Sequence, residues 1–276
     1  MLPRFGYLKA LAVADAVTTL ADYGREARLM AGGTDLLVGM TDGLAAPRYV
    51  VDIKHIPELR TISIGKDGSL RLGACVTVNE ILEFGGLPAG MEALRQAAAV
   101  LGTNQVRNRA TVGGNLCNAS PACDLAPPLL VLGASVRVVS PEGERTVALP
   151  DLFKCPKQTC LTDQEILVEI VVPPARGAVS GFAKRQRIRG HDLAVVNAAV
   201  ALAGDGKVRI AVGAVAPTPL VIDLPGGQAS PAARRAEAVL KKVMDSISPI
   251  DDVRGSGAYR RSMVAQLVTD LLGVRA

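Results

Sequence analysis

Apolar residues recur along this chain at two spacings, and each spacing predicts a different element. Across residues 14–23, Ala16, Val17 and Leu20 fall on one side at helical intervals, and Gly24 can end the helix. Apolar side chains at 91, 94, 97, 98 and 101 give residues 91–101 the stripe of an amphipathic helix, which core packing would bury. Residues 28–31 and 49–53 read as strands of a β-α-β-like start. Residues 61–64 and 69–76 flank Gly65-Lys66-Asp67-Gly68, whose Asp-Gly favours a hairpin turn, and a short helix is expected over 78–84. A second hairpin joins residues 135–140 to 145–149 through Pro141-Glu142-Gly143-Glu144. Residues 165–172 read as an apolar-rich strand that Pro173-Pro174 ends.

The Pro-Pro pair and the residues to Gly177 form the best domain boundary. Beyond it, residues 181–187, 193–202 and 208–215 read as three strands, with Gly204-Asp205-Gly206 turning between the last two. Ser230-Pro231 opens a helix through Ile247, with Ser as cap and Pro in the first position, and residues 257–272 form the last helix. No internal repeat or low-complexity tract is visible.

Composition narrows the function. At 276 residues and 49% hydrophobic content, the chain can bury one large core or two modest ones. Aromatic residues are only 3%, with no Trp, which argues against stacking platforms for nucleic acid. The net charge of +5 is dispersed; the densest run, Lys184-Arg185-Gln186-Arg187-Ile188-Arg189, suits a solvated face or one anionic ligand. Residues 1–7 lack the apolar core of a signal peptide, and the longest apolar run, after Pro127-Pro128, is too short to span a bilayer, so a cytoplasmic location is expected. Two histidines, His55 and His191, and no nucleophile or zinc-protease motif leave hydrolytic chemistry without support; no catalytic residue is assigned.

Two stretches carry the candidate chemistry. Thr111-Val112-Gly113-Gly114-Asn115 runs on through Asn118, Ala119-Ser120-Pro121 and Asp124 with no Lys or Arg. Such a composition suits a loop whose backbone N–H groups form an anion-binding concavity, although an ordinary surface loop has the same composition. Leu29-Met30-Ala31-Gly32-Gly33-Thr34-Asp35-Leu36 follows the same plan. Two such loops could clasp a diphosphate from two sides. Neither a G-x-G-x-x-G nor a P-loop motif is present. Asp124 could instead cap the helix that follows, with Pro127 in its first turn.

Together the motifs Ala31-Gly32-Gly33-Thr34-Asp35-Leu36, Thr111-Val112-Gly113-Gly114-Asn115 and Ala119-Ser120-Pro121 through Asp124 resemble the FAD-binding medium subunit of the molybdenum hydroxylases, the xanthine dehydrogenase, aldehyde oxidase and carbon monoxide dehydrogenase family. Phe182-Ala183-Lys184, His191-Asp192-Leu193-Ala194 and Gly213-Ala214-Val215-Ala216-Pro217 extend the resemblance to nearly the whole chain. It implies an α+β fold: a two-subdomain FAD-binding domain of the non-Rossmann, vanillyl-alcohol-oxidase-like type over residues 1–174 (small subdomain about 1–55, larger about 56–174), then a C-terminal domain over 177–276 with a three-stranded antiparallel sheet and helices.

The resemblance also implies an electron-transfer role. A large subunit would hold the molybdenum cofactor, a small one two [2Fe–2S] clusters, and FAD here would pass electrons to NAD or another acceptor, the whole being a dimer of heterotrimers. Both Gly-Gly loops would cradle the diphosphate, with Leu29, Met30, Asp35, Leu36 and Asn118 beside it and hydrogen bonds from Thr34, Thr111 and Asn115. Asp124 would hold a sugar hydroxyl. Leu101, Gly102, Ile166, Leu167 and Leu193 would lie against the flavin. Lys184 matches a lysine near the flavin, where a cation would favour the anionic reduced form; from its own sequence it equally suits a solvated charge.

Five cysteines, an odd number in a chain without an export signal, are expected as reduced thiols. Cys117, Cys123, Cys155 and Cys160 lack zinc spacing, but could hold an iron–sulfur cluster if the fold gathered them. The related 4-hydroxybenzoyl-CoA reductases carry such a cluster on a long insertion that is absent here. A stand-alone flavin-binding protein is the other alternative.

Overall fold

The computed structural model describes residues 1–175, 177–188, 192–204, 206–225 and 232–273. Strands β1 (Gly6–Lys9), β2 (Ala27–Met30) and β3 (Tyr49–Asp52) form a parallel sheet ordered β1-β3-β2. Helix α1 (Val13–Tyr23) buries the expected Ala16, Val17 and Leu20, and Gly24 ends it at a φ of 47°. Helix α2 (Leu36–Thr41) follows β2. At the end of β3 the buried Asp52 accepts hydrogen bonds from the Tyr7 hydroxyl at 2.5 Å and from the Lys54 ammonium, tying β1 to β3.

The second sheet is antiparallel. Strands β4 (Ile62–Ile64) and β5 (Leu70–Gly73) form the first expected hairpin, and β6 (Ser135–Ser140) and β7 (Gly143–Ala148) the second. The second turn is tighter than expected, because Gly143 already opens β7 at a φ of 130°. After a small hairpin of β8 (Phe153–Cys155) and β9 (Gln158–Thr159), strand β10 (Ile166–Val172) inserts centrally, giving the order β4-β5-β10-β6-β7. Helices α3 (Val78–Glu83), α4 (Glu92–Val100), α5 (Asn104–Arg107), α6 (Val112–Cys117), α7 (Ala126–Val131) and α8 (Leu149–Leu152) complete this part. Thr77 and Glu80 start α3 with a reciprocal capping box.

The C-terminal part contains the three expected antiparallel strands, β11 (Val179–Arg185), β12 (Val196–Leu202) and β13 (Val208–Gly213), joined by a fourth, β14 (Leu220–Leu224). Helices α9 (Ala232–Ser246) and α10 (Gly257–Leu271) follow. The expected cap Ser230-Pro231, His191 and the turn residue Asp205 lie outside the described residues.

Strand periodicity explains how this sheet is held. Val196, Ala198 and Val200 of β12 pack with Val239, Val243, Val264 and Val268 of α9 and α10. The opposite positions Ala199 and Ala201, with Phe182 and Ala211, join the large core that contains α4 and α7. The sheet is thus covered on both faces. Among the described residues, no helix is long and apolar enough to cross a membrane.

Candidate functional site

The first Gly-Gly segment leaves β2 and turns into α2. Gly32 lies against the chain just before the second segment: a Cβ there would sit 1.9 Å from the Arg109 carbonyl oxygen. Gly33 takes a φ of +76°, which a larger residue rarely adopts. The carbonyls of Gly33 and Asp35 accept from Leu37 and Gly39 at 3.0 and 2.9 Å. The N–H groups of Gly32, Gly33, Thr34, Asp35 and Leu36, by contrast, meet no acceptor among the described residues. A run of unpaired backbone donors is what an anion requires.

The second segment departs from the loop expected over residues 110–124. Thr111 caps a helical turn, its Oγ1 accepting from the Gly114 N–H at 3.1 Å, and α6 follows. The amides of Val112, Gly113 and Asn115 donate to the carbonyls of Val76, Ala74 and Thr111, each at 2.9 Å. The N–H groups expected to cradle a ligand here are engaged in the fold instead. Gly113 is glycine for packing, since a Cβ would meet the Cβ and carbonyl of Ala74 at 2.7 Å. Gly114 is exposed, and a Cβ there would meet only Thr111 Oγ1. Asn115 Oδ1 accepts from the Leu125 N–H at 3.3 Å and from the Cys123 thiol at 2.8 Å, so its free donor is Nδ2.

These segments wall one cavity of about 720 Å³. Residues 29–36, Thr111, Gly114, Asn115, Asn118, Ile166 and Leu167 all line it, so the structure gathers these expected site residues from three places in the chain. Asn118 Nδ2 donates to Asp35 Oδ1 at 2.7 Å and links the two segments directly. Lys157, from the β8–β9 turn, donates to Asn118 Oδ1 at 2.9 Å. Cys117, Asp163 and Glu165 also face the cavity, and Arg145 holds the Glu165 carboxyl below its usual range by hydrogen bonding. The exposed side chains of Val38 and Leu44 line it as well.

Five expected residues do not line this cavity: Leu101, Gly102, Asp124, Lys184 and Leu193. Asp124 does not cap α7, whose N-cap is Leu125. Its two oxygens accept from Lys184 Nζ at 2.7 Å and from Asn197 Nδ2 at 3.0 Å. Lys184 is not a solvated charge, because its side chain is 3% exposed and neutralised by Asp124. Burial pushes the Asp124 carboxyl up, against the pull of Lys184. Lys184 Nζ also reaches the Val100 carbonyl at 3.4 Å, and Arg107 holds the carbonyls of Leu101 and Gly102 at 3.2 and 3.0 Å. Leu193 is exposed.

The thiols stay separate. Among the described residues, no three His, Cys, Asp or Glu side chains gather as a metal site. Cys155 donates to Gln158 Oε1 at 2.9 Å, and Cys160 lies beside Arg145. Burial pushes the Cys75 and Cys123 thiols up to about 12. His55 lines a smaller cavity with Lys54, Arg60 and Arg109.

Sequence reasoning missed Lys157 and Asn197. A lysine beside a turn proline gives no signal of facing a cavity. Asn197 was reachable in principle: the antiparallel register that makes β11 and β12 neighbours sets it opposite Lys184.

Residues 3–175 match the family described as the FAD binding domain in molybdopterin dehydrogenase, and residues 182–273 match the CO dehydrogenase flavoprotein C-terminal domain. The chain is 34% identical to the carbon monoxide dehydrogenase medium chain of Hydrogenophaga pseudoflava over 275 residues, covering 96% of this chain and 95% of the other. It is 31% identical to a xanthine dehydrogenase FAD-binding subunit of Escherichia coli O157:H7 over 275 residues, covering 96% and 94%. A solved structure of the Hydrogenophaga pseudoflava carbon monoxide dehydrogenase, lacking the Mo-pyranopterin moiety of its molybdenum cofactor, superposes with a TM-score of 0.93 at 31% identity, covering 99% of this chain and 98% of that one.

Proposed function

Because this chain belongs to the FAD-binding medium subunits of the molybdenum hydroxylases, the xanthine and carbon monoxide dehydrogenase family, we propose that it holds FAD between its two Gly-Gly segments and serves as the electron-transfer subunit of a three-subunit oxidoreductase. FAD supplies a carrier that can take electrons from one-electron donors and release them to NAD or another acceptor. The partners in this reading are a large molybdenum-cofactor subunit and a small subunit with [2Fe–2S] clusters, paired as a dimer of heterotrimers in the cytoplasm. The "medium chain" designation of the relatives supports such an assembly.

The observation that carries the reading is the contact of Gly32 with the Arg109 carbonyl, which brings two distant Gly-Gly segments to one cavity. The residues present fit the dinucleotide. The unpaired amides of residues 32–36 would take a phosphate, and the cavity is of a size typical for such ligands. Thr34, Asn115 Nδ2 and Asn118 offer further polar contacts, and Ile166 and Leu167 an apolar wall. With Lys184 neutralised by Asp124, any effect of the pair on the flavin would come from a dipole rather than a free cation. We place the domain limits at 1–174 and 177–276, with the small subdomain ending near residue 55.

The visible absorption spectrum of the freshly purified chain tests this. Flavin bands released as FAD on denaturation are expected, together with co-purification of two further chains. A colourless protein that takes up no added FAD would overturn the reading.

A further inference from the structure

Three non-glycine residues among those described adopt left-handed backbone: Ala119 at a φ of 43°, Lys157 at 65° and Ala214 at 63°. They cluster. The Lys157 N–H donates to the Ala119 carbonyl at 2.9 Å, and the Ala214 N–H donates to the Pro121 carbonyl at 2.6 Å. Lys157 and Ala214 thus hold the chain just after α6, and Lys157 lines the cavity. Lys157 is the one whose side chain can reach a ligand. It follows Pro156 in the two-residue turn between β8 and β9, at a position where positive φ favours glycine. Strain held at a cavity wall points to a use for the side chain.

The surrounding charges indicate that use. Three other charged groups lining the cavity have partners of their own, and the carboxylates of Asp35 and Asp42 line it as well. Asp163 pairs with Arg25 at 2.7 Å, Glu165 with Arg145 at 2.5 Å, and Arg28 is held by the carbonyls of Arg25 and Ala27. The Lys157 ammonium is held only by the neutral Asn118 Oδ1, while the amide of Asn118 reaches Asp35 in the segment whose N–H groups lack acceptors. A full positive charge therefore stands one side chain away from a row of unpaired donors.

We propose that Lys157 is the cationic ligand of the phosphate groups in this cavity, an assignment that rests on the dinucleotide reading above. The ammonium leaves Asn118 for a phosphate oxygen when the ligand enters, adding a charge-assisted hydrogen bond to the neutral backbone donors. The cavity's other cation among the described residues, Arg28, is turned to the carbonyls of Arg25 and Ala27 and not to this segment.

The test is titration of the deflavinated full chain with FAD, followed by quenching of flavin fluorescence, for the wild type and for K157R, K157Q and K157G. K157Q and K157G are expected to bind FAD roughly tenfold more weakly or worse, and K157R within about threefold. The gap between wild type and K157Q narrows as salt rises, since the lost contact is ionic. K157G, freed of the turn strain, melts higher than the wild type without FAD, which separates the binding defect from misfolding. K157Q binding FAD as tightly as the wild type would remove the lysine from the site and leave the dinucleotide reading intact. A wild type that takes up no FAD would remove both.

Discussion

The ammonium of Lys184 and the carboxylate of Asp124 meet at 2.7 Å with both side chains almost wholly withdrawn from water, at 3% and 6% exposure. The pair joins β11 to the chain entering α7, and Asn197 on β12 fixes the second carboxylate oxygen. Such a pair is costly to halve. Lys184→Met leaves a buried carboxylate without a counter-charge and should cost about 3–5 kcal/mol. The double variant Asp124→Asn, Lys184→Met should recover part of that loss. Urea unfolding of the two variants checks both; a loss under about 1 kcal/mol in the single variant would mean that water reaches the pair.

Gly32→Ala places a carbon where the Arg109 carbonyl already stands. The two segments must part, so the expected outcome is a chain with little bound FAD and a stability loss of about 1–3 kcal/mol. The flavin-to-protein absorbance ratio and a denaturation curve read the two effects separately.

Gly113 and Gly114 should behave differently although they are adjacent. Gly113→Ala pushes against Ala74 and should destabilise the fold by about 1–3 kcal/mol. Gly114→Ala meets only the hydroxyl of Thr111, at 2.9 Å, so the cap must shift while helix propensity is gained, and the stability loss should stay below about 1 kcal/mol. Its added methyl faces the cavity, and FAD affinity should fall by roughly tenfold or more. Equal FAD affinity in Gly114→Ala and the wild type would take this wall out of the site.

Acid should weaken the C-terminal part in a defined window. Burial alone would raise the Asp252 carboxyl, but hydrogen bonds and charge from Arg254 and the charge of Arg260 outweigh it and hold the group at about 2. A folded value below the unfolded one stabilises the native state above the ordinary aspartate range. That contribution, on the order of 2 kcal/mol, is lost as pH falls from about 4 to about 2. Asp252→Asn should lower stability at neutral pH and flatten the curve across that interval. Melting temperatures at several acid pH values give the comparison.

Much of the fold was legible because its periods are long enough to read. The stripe of Ala16, Val17 and Leu20 placed α1, and the turn Pro141-Glu142-Gly143-Glu144 placed β6 at its observed bounds. Strand β1 was not legible, since its four residues, Gly6 to Lys9, are too few and too mixed to show a period in the sequence. Composition marked Gly113 and Gly114 as loop, whereas the Thr111 cap and the pairing of residues 76–78 with 110–112 wind them into a helix. The cavity walls were found from the paired Gly-Gly motifs. The ion pair of Lys184 was not, because a basic run shows charges and hides their partners. Strain at Lys157 is a backbone property that residue identity alone does not reveal.

The C-terminal sheet contributes Phe182, Ala199, Ala201 and Ala211 to the core of the preceding part. A gene fragment ending at Pro174 would therefore encode a product with an open oily face, and the complementary fragment would carry the matching one. Neither half is built to be made alone, and any descendant of this chain that lost its C-terminal sheet would have to acquire a substitute wall.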